Sequence, residues 1–137
     1  IIENLRIKKL IKSPIFLKRV FSNKEILISK KIKNKTAYFA KRFAAKEALS
    51  KSLGTGFRDG LSFKNITIIN DKLGKPSFYL DNKVKLLIKK RLSIKSFNFL
   101  LSISDEKKYS LAFVIFQKIW KLKKNFLSII LKLYFMH

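Results

Sequence analysis

The chain has 137 residues, 32 Lys+Arg against 8 Asp+Glu, a single His and no Cys, for a net charge of +24. That length suits one domain with a real core, and a hydrophobic share of 47% with thirteen Phe excludes a basic disordered tail. Without Cys there is no disulfide frame, thiolate nucleophile or zinc-thiolate site, which fits a reducing compartment, and with His137 as the only His an internal Ser-His-Asp triad is excluded. Chemistry must then rest on carboxylates, lysines, hydroxyls, backbone amides and a hard metal. The charge is nearly all lysine, 27 against 5 Arg. Such a surface attracts polyanions: nucleic acid, anionic membrane, a phosphorylated cofactor or an acidic protein.

Residues 1–12 read as a short helix ended by Ser13-Pro14, because proline restricts the residue before it. Glu3, Arg6, Lys8 and Lys9 in this opening read against a signal peptide. Ile15, Phe16, Leu17, Val20 and Phe21 supply apolar weight to the next segment, and Ser22-Asn23 form an N-cap region for one starting at Lys24. The strongest helix spans residues 36–53. Thr36 can cap it, Ala37, Ala40, Ala44, Ala45 and Ala48 favour it, and Gly54 stands where a left-handed residue is wanted after the last turn. Leu61 to Ile69 reads as a strand, Asn70 to Pro76 as a dense turn and Ser77 to Leu80 as the returning strand. Residues 82–92 have helical spacing. Phe97 to Ser104 and Tyr109 to Phe116 form a second hairpin around residues 105–108. Helices and antiparallel hairpins in this order predict an α+β fold, an antiparallel sheet packed against the long helix.

Residues 117–137 have a different pattern. Ile119, Leu122, Phe126, Ile129, Leu133 and Met136 follow 3-4 spacing, the mark of one apolar helical stripe interrupted by Lys121, Lys123, Lys124 and Lys132. Its nearly uncharged runs are too short to span a membrane. The stripe needs a covering surface, either a neighbouring subunit or an anionic membrane.

The segment that carries chemistry is Arg42 to Gly56. Glu47 and Lys51 are four apart on one helix face, which alone is a surface pair contributing about 0.2–0.5 kcal/mol. Gly54-Thr55-Gly56 then closes the helix with a loop whose amides can approach a phosphate. A carboxylate, lysines and an arginine near one helix end suit a hard cation with a pyrophosphate.

This segment, AYFAKRFAAKEALSKSLGTG at residues 37–56, resembles the signature helix of the holo-acyl-carrier-protein synthases, the small phosphopantetheinyl transferases. The likeness continues through Gly60-Leu61-Ser62-Phe63, Asn70 to Pro76, Leu101 to Ser104, Tyr109 and Ala112 to Ile115, and covers about residues 1–116. The resemblance implies transfer of 4′-phosphopantetheine from coenzyme A to a serine of apo acyl carrier protein, releasing adenosine 3′,5′-bisphosphate. It implies Mg²⁺ held by Glu47, with Glu47 and Lys51 as catalytic residues. Arg42, Lys46, Gly54, Thr55, Gly56, Lys75, Pro76 and Ser104 match cofactor-binding positions. Asp105 stands where many members carry histidine. Ile1 to Ile7 resembles the end of the family's G-x-D-I-x-x-x-x-R-I opening. Its aspartate, a second Mg²⁺ ligand, would fall immediately before Ile1, so the first strand is expected to be cut short. A homotrimer in the cytoplasm, serving fatty-acid synthesis, is also implied.

Acyl carrier proteins are strongly acidic, and Arg6, Lys9, Lys12, Lys18 and Arg19 lie in the segment resembling the docking region, with Phe16, Val20 and Phe21 as expected apolar contacts. The rival expectation from charge alone is a nucleic-acid-binding or membrane-surface protein without catalysis. No RNA-binding aromatic motif, zinc finger or Gly-rich basic repeat supports it, and the lysines are spread along the whole chain.

Overall fold

Polar side chains start each of the longer helices in the computed structural model, which describes residues 1–120, 132, 133 and 135. A short strand β1 (Ile2–Glu3) leads into α1 (Asn4–Leu10). The Ser13 hydroxyl accepts from the Phe16 amide to open α2 (Pro14–Val20), with Pro14 in the first turn, where its missing N–H costs nothing. Ser22 and Glu25 form a reciprocal capping box at the start of α3 (Asn23–Ser29). Asn34 Oδ1 accepts from the Ala37 amide, so α4 (Lys35–Ser52) is capped by Asn34, not by the expected Thr36. Gly54 follows the helix at φ +71°, as the sequence predicts.

One turn of 3-10 helix (Phe63–Asn65) precedes β2 (Ile66–Asn70), which pairs with β3 (Pro76–Leu80) in register Ile68 to Phe78. The strand expected from Leu61 therefore starts five residues later. Ser62 donates its N–H and hydroxyl to Asn65 Oδ1, which favours the turn, and Leu61 is buried in the core instead. Asp71 Oδ1 accepts from the Leu73 and Lys75 amides and holds the β2–β3 turn. Helix α5 (Asn82–Leu92), capped by Asp81, leads to the hairpin β4 (Phe97–Asp105) and β5 (Tyr109–Lys118).

The larger sheet has the antiparallel order β1-β5-β4, with Leu101 opposite Val114 and Ile2 opposite Ser110. Because Ile2 and Glu3 pair with β5, and the Asn4 amide donates to Lys108 O, the first helix begins at Asn4 and not at the chain start. Helix α4 packs against this sheet. Ala40 and Ala45 are fully buried, so the helix comes close where no long side chain intervenes. Ile7, Val20, Phe21, Phe39 and Ala44 form one core cluster; Leu49, Leu61, Ile66, Val84 and Ile88 form a second. On the far face of the sheet Leu100, Leu111, Phe113 and Ile115 are exposed.

Strand β5 runs two residues past its expected end, to Lys118. Ile119, first of the 3-4 stripe, donates its amide to Ser96 O and is not helical. Most of the stripe lies outside the described residues.

Candidate active site

Helix α4 turns about 100° per residue, so Arg42, Lys46, Leu49 and Leu53, spaced four, three and four apart, face inward, while Glu47 and Lys51 face solvent. The Lys46 side chain is 0% exposed and lies 2.7 Å from Glu25 Oε2. Its ammonium donates to Val20 O and Phe63 O at 2.9 Å and to Ile66 O at 2.6 Å. These carbonyls lie where α2 ends, in the 3-10 turn and where β2 begins, and Phe63 O also accepts the Ile66 amide. Glu25 completes the hub by accepting from the Ile68 amide at 2.9 Å. Burial lowers the Lys46 pKa, and the Glu25 charge opposes that shift. The expectation that Lys46 contacts a cofactor phosphate is thus corrected: its protons are spent inside the protein.

Arg42 is also buried, with its guanidinium 3.6 Å above the Tyr38 ring and donating to Tyr38 O and Asn70 Oδ1. Burial lowers its pKa and raises that of Tyr38. Its Nε has no hydrogen-bond partner. Arg42 lines a crevice of about 150 Å³ with Lys41, Asn70, Gly74, Pro76 and Asp105, so two of the expected cofactor residues, Arg42 and Pro76, do meet. Lys41 and Asp105 pair across it at 3.4 Å.

Glu47 and Lys51 form a loose pair at 3.9 Å with side chains 38% and 77% exposed. Beyond them the loop 54–60 holds three glycines and Asp59 at positive φ. The Gly54 amide donates to Lys51 O and the Leu61 amide to Arg58 O; among the described residues no amide of 55–60 has a protein acceptor. This loop lies about 18 Å along the helix axis from Arg42, at about 1.5 Å per residue. The expected set therefore divides into two stations. Ser104 belongs to neither; it lies on the outer face of β4 opposite Leu111.

Of the expected docking residues, Arg6, Lys9 and Arg19 are exposed. Phe16 instead packs against Phe21 and Phe43 at 6.1 Å, and Val20 and Phe21 are buried. The expectation that Val20 and Phe21 offer an apolar contact is corrected, since core packing claims them, whereas Phe16 stays half-buried. Ile15 is the exposed apolar residue of α2 and Leu5 that of α1.

Two contributors went unread in the sequence. Glu25 left a trace in its Ser22-x-x-Glu25 capping pattern. Arg91, which binds the 54–60 loop from α5, left none. For a cation, Glu47 offers solvent-facing carboxylate oxygens, and no group of three or more His, Asp or Glu gathers elsewhere among the described residues. One carboxylate with water and substrate phosphate suits Mg²⁺.

The fold and this helix-and-loop arrangement define a class. A family model, the 4′-phosphopantetheinyl transferase superfamily, matches residues 2–114. The chain is 64% identical over 118 residues to a holo-[acyl-carrier-protein] synthase of Pelagibacter ubique, covering 86% of this chain and 92% of that one. The holo-[acyl-carrier-protein] synthase structure from Neisseria meningitidis matches with TM-score 0.76 at 38% identity, covering 85% of this chain and 93% of that one. That from Bacillus anthracis, in complex with CoA (3′,5′-ADP), matches with TM-score 0.70 at 32% identity, covering 86% and 91%. The chain belongs to the 4′-phosphopantetheinyl transferase superfamily and, within it, to the holo-[acyl-carrier-protein] synthases. The rival reading as a non-catalytic nucleic-acid or membrane binder gives way. No helix among the described residues is long and apolar enough to cross a membrane.

Proposed function

We propose that this chain transfers 4′-phosphopantetheine from coenzyme A to a serine of apo acyl carrier protein, with Glu47 and Lys51 at the reacting pyrophosphate. In a chain of this family, the observation that carries the assignment to these residues is the solvent-facing Glu47–Lys51 pair followed by a loop with unpartnered amides. The serine oxygen bonds to the phosphorus next to pantetheine, the bond from that phosphorus to the bridging oxygen breaks, and adenosine 3′,5′-bisphosphate leaves. The serine proton passes to solvent or to a basic group. Lys51 stabilises the charge growing on the departing phosphate, and the amides of the 54–60 loop steady the pyrophosphate. Mg²⁺ held by Glu47 would neutralise pyrophosphate oxygens. The crevice lined by Arg42 and Pro76, with Lys75 adjacent in sequence, receives the nucleotide end.

The reading includes a homotrimer, cytoplasmic and serving fatty-acid synthesis. The support for assembly is the row Leu100, Leu111, Phe113 and Ile115, with Phe113 65% exposed on a sheet face that another subunit would cover. Ser104, on that same face, would then belong to an intersubunit site. Phe113→Arg is expected to leave monomers in sedimentation velocity; an unchanged species rejects this face as the contact.

Mass spectrometry of apo carrier protein incubated with the chain, coenzyme A and Mg²⁺ tests the transfer. A phosphopantetheine adduct is expected on the carrier, and a chelator should suppress it. A carrier that stays unmodified overturns the function, and modification indifferent to the chelator overturns the Mg²⁺ requirement.

A further inference from the structure

Loop 54–60 bends at left-handed φ four times, at Gly54, Gly56, Asp59 and Gly60 (+71°, +68°, +54° and +89°). Asp59 is the one position of the four that carries a side chain, and Asp is among the residues that tolerate such a φ. Between Gly54 and Leu61 the loop makes no backbone hydrogen bond that would stiffen it, apart from the two that close its ends. Its shape depends on side chains. Phe57 stacks edge-on against Phe63 at 4.8 Å and ties one point to the core. The rest is tied by one residue of α5. Arg91 Nη1 donates to Gly56 O at 3.1 Å and to Thr55 Oγ1 at 3.3 Å, and Nη2 donates to Arg58 O. Asp59 Oδ2 lies 3.6 Å from the same guanidinium, whose side chain is only 15% exposed.

We propose that Arg91 is a positioning residue for coenzyme A, acting by holding the 54–60 loop in its pyrophosphate-binding shape. This rests on the functional reading above. In a planar trans peptide the N–H points opposite to the C=O. Drawing the Gly56 and Arg58 carbonyls toward α5 therefore turns the Phe57 and Asp59 amides away from it. Neither amide has an acceptor among the described residues, so both stay available to an anion. Only a rigid fork suits this task. The guanidinium reaches two carbonyls two residues apart with separate nitrogens, whereas a lysine ammonium is a single point. The same fork neutralises Asp59, whose carboxylate would otherwise repel an incoming pyrophosphate.

The test compares the full chain with Arg91→Ala and Arg91→Lys by steady-state kinetics and by hydrogen exchange of the Leu61 amide, which closes the loop. Losing the fork removes several hydrogen bonds, each modest in net effect, so KM for coenzyme A should rise about tenfold in Arg91→Ala. Turnover and carrier KM should stay within about twofold, because Arg91 touches neither reacting group. Exchange at the Leu61 amide, which closes the loop on Arg58 O, should quicken by about tenfold while α4 keeps its protection. Arg91→Lys keeps the Asp59 pairing but not the fork, and should remain within about threefold of Arg91→Ala. Faster loop exchange with an unmoved coenzyme A KM overturns the role, as does a general loss of protection with KM unchanged, which would mark a purely structural arginine. Unchanged values throughout also overturn it. A wild-type chain that transfers nothing overturns the functional reading, and this role with it, before any variant is measured.

Discussion

Lys46 and Glu47 are neighbours in sequence and opposites in environment. Lys46 faces inward, has four oxygens around its ammonium and is wholly buried. Glu47 faces outward, with one lysine at 3.9 Å and solvent beside it. A rotation of about 100° separates a charge locked in the interior from one left facing solvent. On the inner wall of α4 the Lys46 ammonium is fully engaged by protein oxygens. Its outer wall is under-coordinated, and that leaves its charges free to meet a ligand. Reactivity on this helix is thus a matter of which charges the fold leaves unspent.

Removing Lys46 breaks the inner wall and should have the largest effect. Lys46→Met leaves the Glu25 carboxylate buried without its counter-charge and three carbonyls without their donor. Breaking one partner of a buried pair costs about 3–5 kcal/mol, and urea denaturation should show a loss of that size. Adding Glu25→Gln should recover only part, since the carbonyls of Val20, Phe63 and Ile66 still lose the Lys46 donor. A Lys46→Met chain of near wild-type stability would show that the hub is dispensable.

The outer wall should respond in the opposite way. Glu47→Gln removes a charge that the fold does not use, so the urea midpoint should barely move. Turnover should fall about 100-fold or more, as expected when a ligand to a charge-stabilising ion is lost. Near-normal turnover at low Mg²⁺ would remove Glu47 from the metal role. Lys51→Ala should cut turnover by a smaller factor, roughly tenfold to 100-fold, and more than it weakens coenzyme A binding. Equal losses in both would make Lys51 a plain binding residue.

This contrast also marks the limit of what the sequence could tell. The alanines of α4, Gly54 after its end and the turn chemistry of Asn70 to Pro76 announce their local structures, because propensity and special φ act within a few residues. The motif order from residue 37 to 115 was enough to place the family. The rotational phase of a charged residue was harder to read. Lys46 looks like a phosphate contact when every lysine is assumed to seek solvent, and only the fold reveals the carbonyls that hold it inside. Phe21 misled for the converse reason, since an aromatic beside lysines suits a docking face as well as a core. The contact of Arg91 with the loop spans 35 residues and follows from how α5 packs, which no local pattern encodes.

The smallest effect should come from a charge that is outward-facing and in no ion pair among the described residues. Arg6 is exposed on α1, takes no part in either core cluster and matches the arginine of the family's opening motif. Its partner would be an acidic carrier, so its contribution is long-range attraction in water, which salt screens over about 10 Å at 0.1 M. Exposed pairs contribute up to about 1 kcal/mol, so Arg6→Glu should raise the carrier KM roughly fivefold, through slower encounter more than faster release. Coenzyme A KM and the urea midpoint should hold. Raising salt should weaken the wild type toward the variant and the variant much less, because the screened attraction is already gone. A carrier KM that ignores both the substitution and the salt would move docking away from α1. The exposed Ile15 of α2 would then be the next residue to change.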